Sequence, residues 1–222
     1  MVKGFVGMTR FFFRFITAFV SSVIAAAGLV ATAQPRIDPN LGGDGGLTAG
    51  LWTEDAVIGS INAPLVIVEY ASWTCPHCKT FHDQYLTPVI LPLVDEGLVR
   101  FVTRDLLRNW IDLRVSMAAR CDGVDFMDAS NRLYGAQSTY LINDPETVNR
   151  AIADALEMDS QTLEACFNDN EKAQWIVERT QEAGSLGVNS TPTVFVNGSR
   201  YTLTQDGDLE DELRQLAAGT TL

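Results

Sequence analysis

Leu65-Val66-Ile67-Val68-Glu69-Tyr70-Ala71-Ser72-Trp73-Thr74-Cys75-Pro76-His77-Cys78 is the stretch that decides the fold of this 222-residue chain. Residues 65–70 form a short, apolar, β-branched run, the pattern of a buried strand. Pro76 stands where a helix would begin. Its fixed φ suits a first helical position, and its missing N–H costs nothing there. The segment therefore predicts a strand that ends beneath a helix mouth, with two cysteines on the first turn.

Outward from this point the α/β alternation continues. The helix after Cys78 is expected to kink or end at Pro88. Leu98-Val99-Arg100-Phe101-Val102-Thr103 reads as the next strand. From about 112 to 184 the pattern turns helical. Val148, Ile152 and Leu156 recur at four-residue spacing, as do Met117 with Cys121 and Trp175 with Arg179 and Ala183. Asn143-Asp144-Pro145-Glu146 is a helix start. Strand character returns in Thr193-Val194-Phe195-Val196. Asn197-Gly198 is a strong hairpin turn signal, and Arg200-Tyr201-Thr202-Leu203 is the return strand. Leu209, Leu213 and Leu216 mark a last helix that stops near Gly219. Phe81, Tyr85, Trp110 and Trp175 are assigned to packing, and Trp73 to either a groove or the core.

The chemistry follows from the place of the two cysteines. A helix N-terminus carries partial positive charge and unpaired N–H groups. Both stabilise a thiolate at Cys75, the form in which cysteine is nucleophilic. Three-residue spacing lets Cys78 close a disulfide with Cys75, and His77 between them adds a polar or cationic partner. A stabilised thiolate favours the reduced pair, so the disulfide form gives itself away readily. A zinc site is the competing reading. Structural zinc takes about four ligands, and beyond this pair the chain offers only His77, His82 and two distant cysteines. No metal and no cofactor is therefore expected.

Cys75-Pro76-His77-Cys78 resembles the active-site tetrapeptide of the DsbA-type oxidases of the thioredoxin superfamily. Thr191-Pro192 before a strand is similar to that superfamily's cis-proline loop. The approach from Ile67 to Thr74 also looks like the family's strand into its active site. The resemblance covers roughly residues 55–218 and implies a thioredoxin-like α/β fold with an inserted helical domain. It implies an exposed nucleophile at Cys75 and a buried partner at Cys78. Thr191 and Pro192 would lie beside the disulfide, with the Thr191 backbone pairing to a substrate strand. Glu69 matches a buried acid that relays a proton to Cys78, and Arg104 is a weaker match to a basic partner for it. A DsbB-like membrane reoxidant and an envelope compartment, the periplasm, are implied as well. His82 departs from the pattern, standing where related enzymes often carry an acid. By residue type it reads as a surface helix position.

The ends and composition complete the reading. The first 33 residues carry Lys3, Arg10 and Arg14 and no acid. An apolar run from Phe15 to Val30 and Ala31-Thr32-Ala33 follow, which is a secretory signal with cleavage expected after Ala33. An uncleaved anchor is the alternative. Cleavage would take the net charge from −12 to −15 and leave about 189 residues. So acidic a protein is a poor ligand for nucleic acid. Residues 34–50, rich in Gly, Pro and Asp, read as a flexible leader, and 51–222 as the thioredoxin-like domain. Cys121 and Cys166 are expected to form a structural disulfide, an exported chain being free to do so, with two buried free thiols as the alternative. Asn189-Ser190-Thr191 and Asn197-Gly198-Ser199 match a glycosylation pattern by chance. The function expected is donation of a disulfide to reduced exported proteins by a soluble monomer. The alternatives are a disulfide isomerase or reductase on the same fold, or a non-enzymatic metal-binding or chaperone protein.

Overall fold

The computed structural model describes residues 55–202 and 208–219. The expected signal segment, the leader and the Leu203 end of the return strand lie outside the described residues.

A five-stranded mixed sheet forms the centre, in the order β1-β3-β2-β4-β5. Strand β2 (Leu65–Ala71) runs parallel to β3 (Val99–Asp105) and antiparallel to β4 (Thr193–Val196). Strand β1 (Ala56–Ile58) pairs antiparallel with β3, and β5 (Ser199–Tyr201) with β4. The β1 strand carries no signal of its own in the sequence. Three residues are too few for a period, and β1 is made by its ladder to β3 and by the Asp55–Arg104 ion pair at its start. Asn197 and Gly198 both take positive φ at the β4–β5 turn, as a tight hairpin turn requires.

The period-two alternation of β2 sorts its side chains into two cores. Leu65 and Ile67 face Phe81, Leu86, Ile90 and Leu93, with Leu213 of the last helix. Val68 and Tyr70 face the other way, against Val102, Phe195, Ala183 and Val188. Both layers are closed by helices, so the central strands are apolar on both faces.

Helix α1 (Pro76–Phe81) continues through a π-helical stretch (His82–Ile90) into α2 (Leu91–Asp95). Pro88 therefore does not end the helix, contrary to the expectation from its place in the sequence. The wider π turn around it absorbs the residue that cannot donate an N–H. Six helices follow in the chain: α3 (Trp110–Ala119), α4 (Phe126–Gly135), α5 (Gln137–Tyr140), α6 (Pro145–Leu156), α7 (Ser160–Phe167) and α8 (Asn170–Ser185). Helix α9 (Leu209–Ala217) closes the described chain. Helix α3 stops before Cys121, which lies in a turn and forms a disulfide with Cys166 of α7. No helix among the described residues is long and apolar enough to cross a membrane.

The helices of this block pack on the end of the sheet where β2 runs out. Trp73, Cys75 and Cys78 share one buried cluster with Ile111, Val115, Leu133 and Tyr140. The cysteine pair thus sits at the seam between the strand-built core and the helical insertion.

Candidate active site

Strand β2 ends at Ala71, and Cys75 becomes the N-cap of α1 with φ −86° and ψ 118°. Cys78 lies on the first turn, completely buried, and accepts the Ser72 N–H at 3.5 Å. Cys75 Sγ lies 3.4 Å from the Thr191 carbonyl oxygen, a contact that is a hydrogen bond only while Cys75 is protonated. The Thr191-Pro192 peptide is cis. This brings Cys75, Cys78, Thr191 and Pro192 together, although 116 residues separate Cys75 from Thr191. Pro76 and His77 form the exposed lip over the pair. A pocket of about 260 Å³ opens beside the loop, lined by Ser190, Pro192, Thr193, Arg200 and Tyr201 among others.

The two thiols are driven apart in acidity. Cys75 is pushed down to about 5, first by a hydrogen bond from Cys78 and against the cost of burial. The Thr191 side chain and the backbone N–H groups of Cys78 and His77 add to the effect. The same Cys78–Cys75 hydrogen bond, with burial and the charge of Glu69, raises Cys78. The pair therefore holds one thiolate and one thiol, which share a proton asymmetrically.

Glu69 is buried in β2 on the face that carries α1, and burial followed by the charge of Cys75 raises its carboxyl well above the usual range. One of its oxygens finds no hydrogen-bond partner in the structure. Burial of this kind favours the protonated carboxyl.

Several expectations are corrected by the geometry. Cys75 is 1% exposed rather than open to solvent, because its sulfur tucks between Cys78 and the Thr191 loop. His82 is buried, not a surface residue: its ring lies 5.1 Å from that of Tyr134, and Nδ1 pairs with Asp83 at 3.2 Å. The sequence held the signal, since i and i+4 share a helix face and Cys78 is buried. Trp110 is 37% exposed rather than packed. Trp73 belongs to the core, where it stacks on Tyr134 at 5.0 Å and donates Nε1 to Asp105 and Ser116. Arg104 is opposite Tyr70 in the ladder, on the face away from Glu69, and it donates to Asp55 and to Tyr70 Oη.

Three residues with no signal in the sequence hold the loop before Cys75. Asp112 of α3 is fully buried. Its carboxylate accepts Ser72 Oγ at 3.0 Å and the backbone N–H groups of Thr74 and Arg108, each at 2.8 Å. Burial raises its carboxyl despite these donors. Asn109, which caps α3, donates to Thr74 Oγ1 at 2.9 Å. Gln137 of α5 reaches the same loop from the other side. Among the described residues, no three His, Cys, Asp or Glu side chains converge as a metal site would need.

With that geometry in place, the comparison with known proteins is direct. Residues 52–214 match the thioredoxin family model. The chain belongs to the thioredoxin family. Among solved thioredoxin-like structures, alpha-DsbA1 of Wolbachia pipientis superposes with a TM-score of 0.62 at 21% identity, over 76% of this chain and 92% of that one. Oxidised BdbD of Bacillus subtilis gives 0.59 at 19% identity, over 74% and 91%. At these identities the likeness is one of fold, including the helices inserted in a thioredoxin core. In sequence, a Rickettsia bellii chain provisionally named a protein-disulfide oxidoreductase is 27% identical over 150 residues, 65% of this chain and 57% of the relative. The chain thus spans little more than half the length of that relative.

Proposed function

We propose that the chain is an exported thiol:disulfide oxidoreductase that donates the Cys75–Cys78 disulfide to reduced proteins during oxidative folding. The observation that carries this reading is the placement of the two sulfurs, Cys75 at the N-cap of α1 beside the cis Thr191-Pro192 loop and Cys78 fully buried on the first turn, which lowers the pKa of Cys75 and raises that of Cys78. A thiolate stabilised this far makes the reduced pair the comfortable state and the disulfide the reactive one.

The reaction has two exchange steps. A substrate thiolate attacks Cys75 Sγ of the disulfide, and the bond to Cys78 breaks. Cys78 leaves as a thiolate and takes up a proton, for which protonated Glu69 is the nearby store. A second substrate thiolate then attacks the substrate sulfur of the mixed disulfide. Cys75 departs as its stabilised thiolate. The substrate loses two electrons and the Cys75–Cys78 pair gains them. Thr191 and Pro192 bound the groove in which the substrate strand lies, and Pro76 and His77 form its lip over the sulfurs. The Cys121–Cys166 disulfide is structural. Reoxidation requires a disulfide or quinone-linked acceptor, for which a DsbB-like membrane partner fits. Export through the N-terminal signal, cleavage after Ala33 and a periplasmic location belong to the same proposal.

The test uses the full mature chain. The oxidised protein should oxidise a reduced dithiol peptide faster than glutathione disulfide does at equal concentration, with chelators present or absent. Cys75→Ser should abolish the reaction. Rates no better than glutathione disulfide would sink the oxidase reading, and an equilibrium with glutathione lying far on the disulfide side would point to a reductase.

A further inference from the structure

The carbonyls of Trp73 and Cys75 flank the peptide that leads into the nucleophile, and both are bonded from outside the thioredoxin core. Cys75 O accepts the helical N–H of Lys79 at 3.2 Å. It also accepts Gln137 Nε2 at 3.0 Å. The same amide nitrogen donates to Trp73 O at 2.8 Å, and Tyr140 Oη joins that carbonyl at 3.3 Å. Gln137 and Tyr140 are the two ends of α5, and both are buried.

A side-chain amide has two N–H groups in a fixed planar fork. Using them on carbonyls two residues apart ties the 73–74 and 75–76 peptide planes to one another. The second plane is set by ψ of Cys75, 118° in the structure. That dihedral also decides how the N–H groups of His77 and Cys78 stand relative to the Cys75 sulfur. Those N–H groups are unpaired by helix geometry and point out of the mouth toward the sulfur. The loop has a second restraint in Asp112, which holds Ser72 and Thr74, but nothing in that contact touches the Cys75 carbonyl.

We propose that Gln137 is a positioning residue for Cys75, locking the plane of its carbonyl so that the helical insertion sets the reactivity of the thiolate in the thioredoxin core. The proposal rests on Cys75 being the nucleophile. A bond that only satisfied buried carbonyls would affect stability and leave the sulfur alone. A bond that fixes ψ of Cys75 must also move the sulfur's chemistry, because the N–H groups that stabilise the anion turn with that plane.

The test replaces Gln137 with Met, unbranched and of similar length but without a donor. Three quantities are measured on wild type and Gln137→Met: the pH midpoint of Cys75 alkylation, the dithiol–disulfide equilibrium with glutathione, and thermal unfolding of the oxidised form. The midpoint should move up from about 5. The equilibrium should shift toward the disulfide by about fivefold, the scale of one or two neutral hydrogen bonds. A folded Gln137→Met protein with wild-type midpoint and equilibrium overturns the proposal, even if it melts earlier. Should Gln137→Met not fold, Gln137→Glu carries the same test. The protonated carboxyl still donates and the ionised one repels the carbonyls, so its equilibrium shift must grow with pH; a shift independent of pH overturns the proposal. A wild-type midpoint near 9 would instead overturn the functional reading itself.

Discussion

Cys75 and Cys78 stand three residues apart, yet their surroundings give them opposite acid–base behaviour, and this has a consequence for stability that can be measured. Cys75 is pushed down to about 5 from an ordinary value of 9. A depressed acid contributes stability that is fully present above the unfolded value and is lost as pH falls through the folded one. The reduced protein should therefore gain stability over the oxidised protein as pH rises from about 5 to about 9. The slope is at most about 1.4 kcal/mol per pH unit for one proton. Above 9 the sign reverses, because Cys78 is raised and an unfolded Cys78 would ionise first. Glu69 is present in both redox forms and cancels except for its coupling to Cys75. Denaturant unfolding of both forms between pH 4 and 10 should show a difference that peaks near 9; a flat difference would contradict the acidity assigned to Cys75. At this scale the sequence was informative where chemistry is local. Cys75, Cys78, Pro76, His77, Thr191 and Pro192 lie in two short motifs, and Glu69 stands out as a carboxylate in an apolar strand. Asp112 and Gln137 were not legible. They reach the loop from 38 and 62 residues away. A polar residue on a helix looks the same in sequence whether it faces water or a buried carbonyl.

Among the elements, the central strands, the 193–201 hairpin and the helical block follow from periodicity, because their side-chain patterns are set by burial on one or two faces. Strand β1 and the π stretch do not, since both are products of tertiary context: β1 exists by pairing with β3, and Pro88 is carried by a wider turn. The pairing of Cys121 with Cys166 joins the end of α3 to α7 across a sequence separation of 45. In the chain-entropy model, closing a loop of that length stabilises by up to about 4 kcal/mol. The double variant Cys121→Ser/Cys166→Ser should lose about 2–4 kcal/mol in urea unfolding, seen as a lower midpoint with a steeper slope, because the unfolded chain expands once the bridge is gone. No loss at all would mean that the packing of α3 on α7 holds the block without the bridge.

For the molecule as a whole, the net charge of −12 has a local and a global side. Part of it is capping: Asp125, Asp144, Asp159, Asp169 and Asp208 each accept a backbone N–H at the start of a helix. These carboxylates satisfy N–H groups that the helix leaves unpaired and complement its dipole. Their sum is still a negative field around a site that must receive another chain. Long-range attraction should favour reduced peptides with Lys or Arg beside the cysteine over peptides with Glu there. Close to the sulfurs the balance differs, since Arg108 and Arg200 lie near the loop and the groove. Salt separates the two. The Debye length falls from about 30 Å at 0.01 M to about 3 Å at 1 M, which removes the field of the whole molecule before that of a contacting side chain. At low salt the basic peptide should be oxidised faster, by up to about tenfold, and the gap should close as salt is added. A preference for the acidic peptide that persists at high salt would show that contacts with Arg108 or Arg200, not the overall charge, choose the substrate.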